Sequence, residues 1–287
     1  MKVGEISEIR RYPVKSMGGE ILEEVRLADG GLPGDRAWAV RDEVRGGIRG
    51  AKKIPALMGL QARYVEEPAA AGSSPAEILL PDGSTVETGA PDVNDRLTKA
   101  IDYSVTLWPL LPADALDHYR RGAPLHEDIE KEMRTMFGRT ADEPLPDLSV
   151  FPPELIEFES PPGTYFDAFP LLVMTEKALG SMQEKASDSI FDVRRFRPNF
   201  VIAHEGSDAP FPEIAWCGRR LRIGEATIEM TVECPRCVMT THGFEDLPKD
   251  PNVMRSLVRE SGGNLGVYAK VESAGRIRAG DPVELLD

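Results

Sequence analysis

Twenty-six glycines and 24 prolines, spread along 287 residues, constrain this chain more than any other feature. Proline removes a backbone donor and glycine weakens a helix interior, so helices must be short and turns many. Between these breakers the first hundred residues form short strands. Val3–Val14 alternates as a strand that Pro13 ends or places at an edge. Ile21–Leu27 is a second strand, and Arg36–Val40 a third after the Gly-rich turn at Gly30–Gly34. Ala76–Thr88 is a hairpin centred on Pro81-Asp82-Gly83-Ser84. A short helix is expected over Asp92–Ile101, opened by an Asp cap with Asp95 in its first turn, and Ser104–Trp108 returns to strand.

Residues 109–165 differ. One short helix is expected around Glu127–Phe137, and six prolines fall between Pro144 and Pro162. This stretch is expected to be a linker or an ordered irregular excursion, not a core element. A second compact region follows. It contains a buried strand at Leu171–Met174, a helix over Thr175–Ala186, a strand at Phe200–Ala203 and a tight hairpin over Leu221–Met230. A helix over Asn252–Glu260 and strands at Leu265–Val271 and Pro282–Leu286 complete it. Many short strands with few helices indicate a β-barrel or sandwich.

Forty-eight acidic against 34 basic residues give a net charge of −14. A chain this acidic lacks the field that holds nucleic acid and is repelled by anionic lipid, so neither partner is expected. Any phosphate it binds must meet a local basic cluster. Three cysteines exclude a disulfide scaffold and an internal four-cysteine iron–sulfur centre. The opening MKVGEISEIRRYPV lacks the apolar core of a signal peptide, and no apolar run approaches the roughly 18 residues of a membrane span. A cytoplasmic, reduced protein is expected.

Cys234-Pro-Arg-Cys237 is the most chemically loaded segment. A thioredoxin-like pair wants its first thiolate at a helix N-terminus, whereas this pair follows a strand. Adding Cys217 and His242 gives three Cys and one His for zinc, without a second closely spaced pair. The cysteines can also be small buried hydrophobes. Arg236 argues against the last reading, because a guanidinium between two thiols is costly in a core and useful beside an anion. His118, His126, His204 and His242 lie in no metal-type spacing and are expected to be structural or exposed. Three further basic positions stand beside Gly or Pro turns: Lys15-Ser16, Gly34-Asp35-Arg36 and Phe196-Arg197-Pro198-Asn199. Each could hold a phosphate by charge and hydrogen bonds. None forms a Walker loop or a dinucleotide fingerprint.

Together these segments resemble the MOSC superfamily, named for the C-terminal domain of molybdenum cofactor sulfurase. The likeness is to its two-part members, bacterial MOSC proteins and the mitochondrial amidoxime reducing component. It is carried by Tyr12-Pro-Val-Lys-Ser16, Gly34-Asp-Arg-Ala-Trp38 and Asp167-Ala-Phe-Pro-Leu-Leu172. Phe196-Arg-Pro-Asn199, Trp216, Cys234–Thr241 and Gly280-Asp-Pro-Val283 add to it. The resemblance implies an α+β, mainly β fold of two interlocked β-rich modules, a MOSC N-terminal β-barrel and a MOSC β-barrel, with a few short helices. The expected division is 1–118, an acidic Pro-rich excursion at 119–165, and 166–287. It also implies a molybdenum–molybdopterin cofactor, with Cys237 as metal ligand and catalytic residue. Lys15, Ser16, Arg36, Asp167, Arg197, Asn199, Pro235 and Arg236 would hold the pterin and phosphate, joined by Thr175 and Thr240. The implied activity is two-electron reduction of N-hydroxylated small molecules (amidoximes, hydroxylamines) by oxygen-atom transfer. A cofactor or sulfur carrier without turnover is the alternative. Electrons would come from a separate ferredoxin, b-type cytochrome or flavin reductase.

Overall fold

The computed structural model describes residues 1–206 and 208–286. Its largest sheet closes on itself. Lys2–Arg11 pairs antiparallel with Phe200–His204 on one side and Pro282–Leu286 on the other. From Phe200–His204 the order runs through Leu171–Thr175, Asn264–Ser273, Ala226–Pro235, Arg220–Ile223 and Pro282–Leu286, back to Lys2–Arg11. Seven strands thus form a closed barrel. Leu171–Thr175 and Phe200–His204 are parallel, which requires a crossover, and helix Glu176–Lys185 lies within it. The interior is filled: Ile9, Phe200, Ile202, Leu221, Ile228 and Met230 are buried completely. Each such side chain contributes roughly 1.5–3 kcal/mol relative to exposure. The barrel is therefore a core, not a channel.

The hairpin expected over 221–230 appears as Arg220–Ile223 paired with Ala226–Pro235. Its turn needs Gly224, at φ 56°, because a Cβ there would lie 2.6 Å from the Arg276 carbonyl oxygen. The chain expected as one strand at Ile21–Leu27 is two. Glu20–Leu22 extends the barrel sheet, and Glu24–Leu27 leaves to pair with Gly275–Arg278, a strand the sequence did not reveal.

The N-terminal module has two three-stranded sheets. Ile48–Arg49, Trp38–Asp42 and Val105–Pro109 form one; Gln61–Arg63, Glu77–Leu79 and Thr85–Glu87 form the other. Helix Val93–Ile101 packs Val93, Leu97 and Ile101 into their common core. Asp92 occupies its cap position, but its side chain makes no cap bond, contrary to expectation. The hairpin at 76–88 forms as read, with Ser84 accepting from the Leu80 amide at 2.9 Å.

Two features interlock the modules. The first strand of the chain is a stave of the C-terminal barrel, and Met239 from the C-terminal half belongs to the N-terminal core. The excursion at 109–165 corrects the expectation that it contributes no core. It is ordered around helix Ile129–Phe137, and Tyr119, Phe158 and Tyr165 are buried with Ala39 and Ile48 in a core of their own. Helices Glu176–Lys185 and Asn252–Ser261 pack Met182, Val253, Met254 and Leu257 together at the barrel's side.

Candidate functional site

Where the two modules and the excursion meet, a cavity of about 850 Å³ opens. Lys15, Ser16, Arg36, Asp167, Arg197, Asn199, Pro235, Arg236, Cys237 and Thr240 all line it. They come from five separate stretches of sequence. The backbone marks the same place: Ser16, Arg36 and Arg197 have φ of 71°, 47° and 59°. Among the described residues, Asp102 and Glu245 are the other non-glycines in this left-handed region. Such conformations cost on the order of 1–3 kcal/mol each and persist where surrounding contacts over-determine them.

Those contacts are explicit. The Arg36 and Arg197 guanidinium carbons lie 4.7 and 4.1 Å from the Tyr12 ring centroid. Tyr12 donates its hydroxyl to the Pro198 carbonyl at 3.1 Å. Arg36 is paired with Asp35 and donates Nη2 to the Arg197 carbonyl at 3.2 Å. Asp35 also accepts from the Tyr12 amide at 2.8 Å and from Asn199 Nδ2 at 3.0 Å. Asn199 Oδ1 in turn accepts from the Leu172 amide at 3.1 Å. Arg197 donates Nη1 to the Met17 carbonyl, while its Nη2 is buried without a partner. Burial, with Arg36 adding, pulls Arg197 down to about 10, so it stays charged at neutral pH. A buried charged nitrogen with no acceptor is a site prepared for an anion.

A second cationic group sits on Asp167. Lys15 Nζ donates to Asp167 Oδ1 at 2.8 Å, the Tyr165 carbonyl at 2.7 Å and Ser160 Oγ at 3.3 Å. Lys52 Nζ reaches Asp167 Oδ2 at 3.2 Å. Burial would raise the Asp167 carboxyl, but the two ammonium groups outweigh it and hold it well below the carboxylate range. Burial lowers the Lys15 ammonium despite Asp167. Burial also acts to lower Lys52, yet Asp167 and Cys237 together hold it above the ordinary lysine value. Ser16 Oγ accepts from the Ala51 amide at 2.9 Å, and Gly50 makes room: a Cβ there would lie 2.6 Å from that oxygen.

The two cysteines of the Cys-x-x-Cys segment differ. Cys234 is the penultimate residue of strand Ala226–Pro235 and is buried, its sulfur 2.9 Å from Arg236 Nη1. Burial pushes its thiol up, against Arg236. Arg236 also donates Nη2 to the Phe196 carbonyl at 2.6 Å, while its Nε is buried without a partner. Cys237 precedes the single turn Val238–Thr241 and is half-buried at the cavity. Neither cysteine starts an α-helix, so the arrangement a thioredoxin pair needs is missing. The zinc set does not assemble either. Cys217 packs on the barrel core, and His242 Nε2 is bonded to the Ala51 carbonyl at 3.0 Å. Among the described residues no three His, Cys, Asp or Glu side chains could hold a metal together.

Thr175 stands apart from the other expected site residues. It is fully buried outside the cavity lining, where its hydroxyl accepts from the Ala178 amide at 3.1 Å and donates to Glu213 at 2.7 Å. It caps helix Glu176–Lys185. Sequence reasoning missed Lys52, although Gly50-Ala-Lys-Lys53 is a basic pair after a glycine, the same signal that singled out Lys15 and Arg36. It also missed Arg195. That side chain is buried and donates to the carbonyls of Thr240, His242, Pro248 and Ile190, fixing the segment after Cys237.

The fold and cavity define a two-module β-barrel protein with a cationic, thiol-bearing pocket at the module junction. Residues 3–100 match the MOSC N-terminal beta barrel domain and residues 161–284 the MOSC domain. The chain belongs to the MOSC-domain proteins. Mitochondrial amidoxime reducing component 2 of Bos taurus is 24% identical over 310 residues, covering 98% of this chain and 83% of that protein. Mitochondrial amidoxime-reducing component 1 of Homo sapiens is 26% identical over 322 residues, covering 99% and 84%. Component 2 of Macaca fascicularis reaches 32% over 161 residues, but the match spans 52% of this chain and only 44% of that protein. Among solved structures, the YUAD protein from Bacillus subtilis aligns over 99% of this chain and 95% of its own, with a TM-score of 0.44 and 11% identity. No described helix is long and apolar enough to cross a membrane.

Proposed function

We propose that this chain binds a molybdenum–molybdopterin cofactor and reduces N-hydroxylated small molecules, with Cys237 as the protein's ligand to the metal. The observation that carries this reading is the convergence of buried, incompletely bonded guanidinium groups and a half-buried thiol in one cavity drawn from both modules. The donor set fits. Arg197 Nη2 and Arg236 Nε lack acceptors, which a phosphate or a polar pterin edge provides. A thiolate is a soft ligand suited to a metal already carrying sulfur. The names of the relatives, amidoxime reducing components, support the substrate class.

Arg36, Arg197 and Lys52 would hold the phosphate-bearing end by charge, while Ser16 and Asn199 orient polar edges. Lys15 and Asp167 neutralise one another and set the shape of the floor. Arg236, pinned to Cys234 and the Phe196 carbonyl, fixes the turn that presents Cys237. Bound there, the cofactor would supply two-electron chemistry at an N–O bond, giving the amine or amidine and water. The protein's part is ligation, orientation and charge. Three cysteines cannot build a four-cysteine iron–sulfur cluster, so a separate donor, a ferredoxin, b-type cytochrome or flavin reductase, must deliver the electrons.

The test is metal analysis of purified protein, followed by amidoxime turnover with a competent electron donor. Molybdenum near one per chain with turnover is expected. Molybdenum without turnover would replace the reductase by a cofactor carrier, and zinc alone would overturn the site.

A further inference from the structure

The cavity holds more than a charged cofactor can use. Its floor is cationic, but its outer wall is apolar and comes largely from the excursion. Phe151 packs against Phe169 and Tyr268 of the C-terminal half, with ring centroids 6.2 and 6.1 Å apart, and Phe169 and Tyr268 are 5.4 Å apart. Tyr268 adjoins the Cys234 thiol, so this aromatic cluster runs down to the floor. Further out, Ile129, Leu148 and Ile156 line the cavity while 80%, 38% and 83% exposed. Large aliphatic side chains left this open around a concave space mark a binding wall.

The charges of the wall point the same way. Residues 109–165 carry twelve carboxylates against five cationic side chains. Those facing the cavity are neutralised within the wall: Glu132 pairs with Lys53, and Glu159 with Arg121. Asp147 and Glu154 stand exposed beside the apolar residues. An anionic body entering here would meet like charge and lose hydration to apolar surface.

We infer that Leu148, Phe151 and Ile156 of the excursion, with Phe169 and Tyr268, form a specificity-determining wall that selects N-hydroxylated substrates with an apolar, uncharged body. The inference rests on the reductase reading and deepens it. The N–O group would lie toward Cys237 and the rest of the molecule along the aromatic and aliphatic side chains.

The experiment uses the cofactor-loaded full chain and N-hydroxybenzamidines bearing a para hydrogen, methyl, ethyl, butyl or carboxylate. The matching unhydroxylated amidines are titrated in parallel by calorimetry, which needs no turnover. Each added methylene that becomes buried should raise kcat/KM and amidine affinity by up to about four-fold. The carboxylate should lower both by at least ten-fold. Ile156→Asp and Leu148→Asp should raise KM for the butyl compound toward that of the unsubstituted one. Both residues are exposed, so neither change burdens the core. Val65→Asp, on the exposed surface of the N-terminal module, should change nothing. Turnover with no dependence on chain length would overturn the wall and leave the reductase intact. No turnover, with amidine affinity that still rises with chain length and falls in Ile156→Asp, would overturn the reductase and keep the wall. Loss of both dependences without turnover would overturn both.

Discussion

Arg197 and Ile156 line one cavity but are held on different terms. Arg197 is 8% exposed, sits in left-handed backbone, rests on Tyr12 and donates to a carbonyl of the opposite module. Ile156 is 83% exposed at the end of a single turn, Pro153–Ile156, that two prolines open. The floor is over-determined, because ring stacking, ion pairs and strained dihedrals each fix the same atoms. The wall is defined only by what it presents to solvent. Changes in the floor should therefore appear as lost cofactor, and changes in the wall as altered substrate preference.

Cys237→Ser should have the largest effect. It exchanges a soft donor for a hard one, so molybdenum per chain should fall to background while thermal unfolding matches that of cofactor-free wild type. Full metal content and turnover in this variant would remove the thiol from the floor's function. Lys52→Ala with Arg36→Ala comes next. Losing two charge-assisted bonds at roughly 1.5–3 kcal/mol each should weaken cofactor retention by two to four powers of ten. Pterin released per chain after gel filtration measures it. Retention equal to wild type would show that Arg197 and Arg236 suffice.

Glu213→Gln should act on stability and not on retention, since the residue lies behind the floor beside Thr175. Burial raises the Glu213 carboxyl to about 7, against its bond from Thr175. A raised acid binds its proton more tightly when folded. The native protein therefore loses stability as pH rises from about 4.5 to 7. The Gln variant lacks that loss, so its stability relative to wild type should climb across this window by at most about 3 kcal/mol. Urea unfolding at pH 5 and 8 reads the difference; a constant offset would place the carboxylate in a polar setting. Cys234→Ala should be mildest, a loss of about three-fold or less in metal content, because Phe196 and Leu265 carbonyls still hold Arg236. Equal loss in Cys234→Ala and Cys237→Ser would indicate a dithiol site.

The parts of this molecule legible from sequence share a trait: their chemistry conflicts with their surroundings. Lys15, Arg36, Arg197 and Arg236 stand out because an acidic chain gives no general reason to cluster bases beside glycine and proline. Hairpins such as 76–88 are legible because their turns are local. The barrel was legible through the family resemblance, but its closing pairs were not. The contact between Gly4 and His204 depends on two strands each complete in itself, and nothing local says that they meet. Thr175 stands apart from the cavity for the opposite reason. A threonine opening a helix is already explained as a cap, and the structure keeps that simpler role. The excursion was opaque because its prolines suggest a tether, while its apolar residues acquire meaning only when folded over Phe169 and Tyr268.

The seam of the barrel has a consequence for how the protein is made. The Met1 amino group bonds the Leu285 carbonyl at 2.8 Å, across 284 residues of chain. Strand Lys2–Arg11 leaves the ribosome long before Pro282–Leu286 and must wait, with one edge unpaired, until that partner has been synthesised. Such high contact order slows folding and leaves a strand edge open to wrong partners meanwhile. On the proposed reading it also times the cofactor. Lys15 and Arg36 emerge long before Arg236 and Cys237, so a nascent chain that stops short of them holds only half a pocket, and loading would follow closure of the seam.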